Sequence, residues 1–126
     1  MSKTAVTSPE LAPPVGPFSQ AIKVGGFIYF SGQIGQDPTT GKLVAGGIAA
    51  ETERLFQNLS AVLKEAGKGF DDVVRAGVYL TSMSDYVALN GIYAKHFSQP
   101  FPARTAIGVA ALPLGACVEI DLVVKA

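Results

Sequence analysis

Apolar and polar positions alternate with two distinct periods along this chain. Between Ile48 and Ala66 the apolar residues Leu55, Phe56, Leu59, Val62, Leu63 and Ala66 recur at helical spacing, with Glu51, Glu53, Lys64 and Glu65 off that stripe. This predicts an amphipathic helix, with Gly67 as its C-terminal cap. Val73–Leu80 alternates as a strand, placing Val74, Ala76, Val78 and Leu80 on one face and Val73, Arg75, Gly77 and Tyr79 on the other. Phe27–Ser31 is aromatic and β-branched; with Phe18–Val24 and the Gly25-Gly26 turn it reads as a hairpin. Residues 8–17 hold four of the eight prolines and predict an extended, turning lead-in. Gln36–Gly41 is turn chemistry. Ser82–Asp85 has capping-box spacing, and a second helix is expected to run to about Phe97, where Pro100 and Pro102 forbid its continuation. Ala103–Val109 and Cys117–Lys125 complete the elements as strands, joined through Leu112–Gly115.

Two helices among these strands can cover only one face of a sheet. Val118, Ile120, Leu122 and Val124 form an unbroken apolar face that belongs beneath them, with Cys117, Glu119 and Asp121 turned away. Apolarity in the preceding strand assigns Thr105, Ile107 and Val109 to the covered side. Arg104 and Glu119 are then expected to share the uncovered face, which a second subunit would cover.

A chain of 126 residues is expected to form one domain over 1–126. Its hydrophobic fraction is 48 % and its charged fraction 16 %, against a usual charged share of about 25 %. That composition argues against disorder and for a partly covered surface. Ten basic residues balance ten acidic ones, which disfavours a dedicated nucleic-acid binder. A single cysteine allows no intrachain disulfide. No apolar run approaches a membrane span, and Met1–Thr4 lacks a signal-peptide stretch, so a cytoplasmic location is expected.

Arg104 is one of three arginines and follows the stiff Pro100-Phe101-Pro102 approach. It reads either as a strand-end ion pair or as a planar fork for a substrate carboxylate. Glu119 interrupts an apolar strand, so it needs either a partner, Arg104 or Arg75, or a task such as holding a water. Asn90 lies within the aromatic stripe Tyr86, Tyr93 and Phe97, as a pocket group or as a structural cap. His96 is expected to complement a helix C-terminus and Cys117 to be an inert thiol; one His and one Cys do not make a zinc site.

Five segments together resemble the RidA/YjgF family of reactive-intermediate deaminases: Gly16-Pro17-Phe18-Ser19-Gln20-Ala21, Ser31-Gly32-Gln33-Ile34, Asn90-Gly91-Ile92-Tyr93, Pro102-Ala103-Arg104-Thr105 and Val118-Glu119-Ile120. They span nearly the whole chain in the family's order. The resemblance implies an α+β, chorismate-mutase-like fold: a mostly antiparallel mixed sheet with two helices on one face, assembled as a homotrimer with sites in the clefts between subunits. It also implies hydrolysis of 2-imino acids, such as 2-iminobutanoate and 2-iminopropanoate released by pyridoxal-phosphate enzymes, to 2-oxo acids and ammonia without metal or cofactor. By position, Arg104 and the backbone N–H of Ala106 would bind the carboxylate, Glu119 would hold the attacking water, and Ser31, Gly32 and Asn90 would line the pocket. Phe18 stands where these deaminases commonly carry Tyr, and Ala106 where Cys is frequent.

Two other readings compete. Some relatives carry the label endoribonuclease or translation inhibitor, but zero net charge and a single His disfavour acid–base RNA cleavage. A trimeric module that binds a small carboxylate or an unfolded client without turnover is the third.

Overall fold

The computed structural model describes residues 2–126. Its strands are β1 (Thr4–Val6), β2 (Ala21–Val24), β3 (Phe27–Gln33), β4 (Val73–Leu80), β5 (Ala103–Gly108) and β6 (Val118–Lys125), and its helices are α1 (Gly47–Glu65) and α2 (Tyr86–Tyr93). One six-stranded sheet has the order β1-β2-β3-β6-β4-β5. Every neighbouring pair is antiparallel except β4 and β5. Parallel neighbours need a crossover, and α2 lies within it. The architecture is the expected α+β arrangement of a mixed sheet with two helices.

The core lies between the helices and one sheet face. Leu55, Phe56, Leu59, Val62 and Leu63 of α1 and Leu89, Ile92 and Tyr93 of α2 join Ile28, Phe30, Ala76, Val78, Leu80, Val118, Ile120, Leu122 and Val124 in a single buried cluster. The α1 stripe and the apolar face of β6 are therefore as expected. Gly67 has φ +71° just past α1. Its N–H donates to Lys64 O and that of Lys68 to Leu63 O, closing the helix as a left-handed glycine cap does. The predicted hairpin is present, with Gly25 at φ +60° in its turn. Among the described residues no helix is long and apolar enough to cross a membrane.

Several expectations need correction. Thr4–Val6 adds an edge strand through its pairing with β2, which its three residues do not advertise by periodicity. The register of β4 shifts between Val73 and Arg75, so Val73 is buried and Val74, 41 % exposed, points outward, the reverse of the simple alternation. Helix α2 ends at Tyr93, short of Phe97, although Phe97 still packs with its ring centroid 4.5 Å from that of Tyr93.

The largest correction concerns β5. Its register pairs Arg104 with Ala76 and Ala106 with Val78, both of whose partners are fully buried under the helices. Thr105 and Ile107 pair with Gly77 and Tyr79 on the open face, where Ile107 is 44 % exposed. Glu119 pairs with Tyr79 and so also faces the open side. Arg104 and Glu119 consequently lie on opposite faces of the sheet. Apolarity misassigned the faces because β5 is an edge strand: its apolar residues project from the open side, and its arginine reaches around the rim onto α2.

Candidate functional site

The anticipated site residues fall into two groups. The first surrounds a cavity of about 610 Å³ that is lined by Phe18, Ser31, Gly32 and Glu119. Leu11, Val15, Ile34 and Leu114 make much of its wall apolar. The irregularity in β3 between Phe30 and Gln33 places Ser31 and Gly32 there. The lead-in chain holds this bulge: the Ser31 N–H donates to Gln20 O at 3.0 Å, and the Ser31 hydroxyl donates to Ser19 O at 2.7 Å. Farther back, Gln20 accepts from the Ser8 N–H at 2.7 Å and donates to Ser8 O at 3.3 Å, which ties down the start of the same segment. Phe18, 54 % exposed, closes one side of the cavity without the hydroxyl a Tyr would bring.

Gly32 is required by Glu119. A Cβ built at position 32 would fall on the Glu119 carboxyl group. The strand–bulge geometry thus brings an acidic side chain directly over bare backbone. Glu119 is half-buried, and among the described residues it has no hydrogen-bond or ion-pair partner. Burial pushes its carboxyl above the ordinary value of 4.5, and the negative charge of Asp121 pushes in the same direction. It is the one charged side chain lining the cavity; no Lys, Arg or His is among the lining residues. The ion-pair alternatives for Glu119 within the chain are not realised. Arg75 donates instead to the Thr105 hydroxyl at 3.0 Å, and Arg104 lies on the other face.

The second group is built on the edge strand and α2. The Arg104 guanidinium donates to the Tyr86 hydroxyl at 3.0 Å. Its central carbon lies 4.7 Å from the Tyr93 ring centroid and 5.6 Å from that of Tyr86. Two aromatic faces hold such a cation by their quadrupoles and fix its plane. Arg104 has no carboxylate partner among the described residues, so its fork stays available to an anion. Asn90 lies on the same stripe of α2, and both its Oδ1 and the Tyr93 hydroxyl are buried without a hydrogen-bond partner. Burial pushes the Tyr93 phenol up while Arg104 pulls it down. Ala106 is half-buried two places along β5 on the same face.

Tyr86 and Tyr93 were not singled out from the sequence as ligands of Arg104. The signal was present: with Asn90 they fall at positions i, i+4 and i+7, one stripe of a helix that crosses over to the strand carrying the arginine. His96 lies beyond the end of α2 and does not complement its dipole. It stacks on Phe56 with centroids 4.1 Å apart and planes 4° from parallel, and burial pulls its imidazole toward the neutral form. Cys117 matches the inert thiol expected: burial and the neighbouring Glu51 push it up to about 12.

The family model described as endoribonuclease L-PSP matches residues 9–126. The chain is 47 % identical over 109 residues to the human protein named 2-iminobutanoate/2-iminopropanoate deaminase, covering 86 % of this chain and 80 % of that one. It is 42 % identical to the protein of the same name from Dermatophagoides farinae, covering 98 % of each. Among solved structures it resembles RidA from an Antarctic Psychrobacter, with a TM-score of 0.92, 41 % identity and coverage of 98 % of this chain and 99 % of that one. The motifs, the fold and these relationships agree, and the chain belongs to the endoribonuclease L-PSP family, the RidA/YjgF proteins.

Proposed function

We propose that this protein hydrolyses 2-imino acids to 2-oxo acids and ammonia, at a site completed between two copies of the chain in a homotrimer. The observation that carries the proposal is the complementary incompleteness of the two half-sites. An unpaired carboxylate lines a largely apolar cavity that lacks a cation, and an unpaired guanidinium lies on the edge strand of the opposite face. Setting the edge strand of one copy against the cavity of another would supply what each lacks. The exposed Phe27, Tyr29 and Ile107 of the open face support such an assembly. The names carried by the human and mite relatives support the same chemistry.

In this reading Arg104 binds the substrate carboxylate through two parallel hydrogen bonds, with the Ala106 N–H adding a third. The imine is protonated, so its carbon is electrophilic. Glu119 accepts a proton from a water as the water oxygen bonds to that carbon, giving a carbinolamine. The same carboxyl returns the proton to nitrogen. The carbon–nitrogen bond then breaks as the carbonyl forms, and the hydroxyl proton leaves with ammonia as ammonium. Every atom comes from substrate and water, so the scheme calls on no cofactor. The gain is chiefly positional: the fork fixes the imine carbon relative to the water. Asn90 and Ser31 would line the two sides of the closed cleft. The family model's description names a nuclease, but the geometry here does not favour that chemistry: His96 is stacked in the aromatic cluster and the charge is balanced.

The direct test couples an amino-acid oxidase or dehydratase to this protein, with semicarbazide trapping the imine. Less semicarbazone should form when the protein is present, and Arg104→Ala should abolish the decrease. An equal decrease with Arg104→Ala, or none with the unaltered protein, would overturn the proposal.

A further inference from the structure

The open sheet face carries a second acidic group that the hydrolysis above does not use. Asp121 follows Glu119 by two positions on β6, so both side chains leave the same face, about 7 Å apart along the strand. In the register Glu119 faces Tyr79, and Asp121 faces Gly77. Tyr79 does not bond its direct neighbour. Its hydroxyl crosses diagonally and donates to Asp121 Oδ2 at 2.9 Å.

Gly77 makes that diagonal possible. A Cβ at position 77 would collide with the Asp121 carboxylate and lie 2.9 Å from the Tyr79 hydroxyl oxygen. The missing side chain is the space in which the phenol and the carboxylate meet. Their hydrogen bond pushes the Tyr79 phenol up, so it remains a donor. Tyr79 thus holds the Asp121 side chain in place beside Glu119.

We infer that Asp121 is a positioning residue for the hydrolysis: its charge, pinned by Tyr79 over Gly77, biases the neighbouring Glu119 carboxyl toward holding the proton that the departing nitrogen needs. The inference rests on the deaminase reading for its consequence in turnover, but not for the coupling itself.

Within one chain the other surroundings of Glu119 do not oppose this bias, and the Arg104 that the proposed trimer would bring into the cleft is the same in every variant compared. Gly32 of β3 lies against it, and Ser31, Pro113 and Leu114 line the same cavity, all uncharged. Cys117, two places before it, packs on the helix side against the core and Glu51, and keeps its proton. Arg75 of β4 is the one cation on this face near the pair, and its guanidinium is turned to Thr105 on the far side of β4. A like charge about 7 Å away at a semi-buried site favours the protonated acid. Burial already pushes Glu119 the same way, and Asp121 adds to it. A carboxyl that must both accept and return a proton works best when its two forms are closely balanced near the working pH.

The test titrates the side-chain carboxyl of Glu119 in the assembled protein by carbon NMR after ¹³C-glutamate labelling, with Glu119→Gln assigning the signal. Asp121→Asn should move the Glu119 midpoint to lower pH. Tyr79→Phe, which frees Asp121 but keeps its charge, should not lower it. In the coupled assay the acid limb of the Asp121→Asn profile should move the same way. At a pH on that limb the variant should keep a fraction of its own plateau about threefold larger than the unaltered protein does. An unmoved midpoint in Asp121→Asn overturns the inference. So does an equal fall in both variants, which would be a packing effect. Because the titration needs no turnover, it decides whether the coupling exists even in a protein that fails to hydrolyse imines. If Asp121→Asn does not fold, Asp121→Ser carries the same prediction.

Discussion

Arg104 and Glu119 face opposite sides of the same sheet, with Arg104 opposite Ala76 in the register of β5 on β4 and Glu119 opposite Tyr79 in that of β6 on β4. Within one chain neither can neutralise the other. Each is left with unused hydrogen-bonding capacity in a semi-buried place, and such groups are costly unless a partner or ligand meets them. The guanidinium is not loose, since Tyr86 and Tyr93 set its position, and the carboxyl is not loose, since bare backbone at Gly32 receives it. Two rigid and separately incomplete half-sites are what an active site shared between subunits requires of each protomer.

Replacing Arg104 should remove activity without removing the fold. Its strand is at the sheet edge and its side chain bonds one phenol. Arg104→Ala should lower kcat/KM by about a hundredfold or more, since a charge-assisted pair to the substrate carboxylate is lost. Arg104→Lys should recover little of it, because an ammonium has neither the planar fork nor the flat face that lies over Tyr93. Steady-state kinetics beside a thermal melt that stays close to that of the unaltered protein would check both parts.

Glu119→Gln should abolish turnover and yet stabilise the protein, with a definite pH dependence. Folding raises this carboxyl above its ordinary value of 4.5. Below 4.5 the side chain is protonated in folded and unfolded chains alike, and the amide changes little. As pH rises through the raised value the folded state acquires a charge it disfavours, and Gln avoids it. The gain should therefore be absent at pH 4 and present at pH 7. For a half-exposed group it should amount to a rise of about 2 °C in Tm. A gain that is larger at pH 4 would contradict the reading of Glu119 as a desolvated acid.

Gly32→Ala separates position from stability. The new methyl meets the carboxyl and the Cγ of Glu119, so the whole side chain must rotate away from the bulge, and the stability cost should be about 2 kcal/mol. The rotation removes the carboxyl from the place where it holds water, so kcat should fall at least about tenfold while KM changes little. Chemical denaturation and initial rates on the same preparation decide this.

The parts of the fold that one hydrophobic layer dictates were legible in the sequence. The α1 stripe and the alternation of β6 are written in residues that must be buried, and both appear where the pattern puts them. The hairpin at Gly25-Gly26 and the cap at Gly67 are legible because glycine answers a specific backbone demand. What could not be read depends on register. Val74 turns outward because a bulge resets the alternation of β4, and Arg104 changes face because β5 takes its parity from its partner strand and not from its own apolar residues. Edge strands are open to that error, since both their faces can carry apolar groups when another surface covers one of them. Of the site, the residue types and their motifs were legible; the division into two half-sites, and the tyrosines that hold Arg104, emerged only from the topology.

The shared-site account predicts that the protein sediments as a trimer at micromolar concentration, with about three chain masses. A stable monomer with full activity would contradict it, because among the described residues of one chain no cation lines the Glu119 cavity.

The most direct measurement mixes two inactive proteins. Arg104→Ala and Glu119→Gln, co-expressed in equal amounts with separate tags and purified through both, are assayed together for imine hydrolysis. If Arg104 of one copy serves Glu119 of another, each mixed trimer has a cleft that receives both intact residues. About a third of the unaltered activity then returns. If each chain builds its own site, every cleft carries a defect, the mixture remains as inactive as its parents, and the account of a site divided between subunits is wrong.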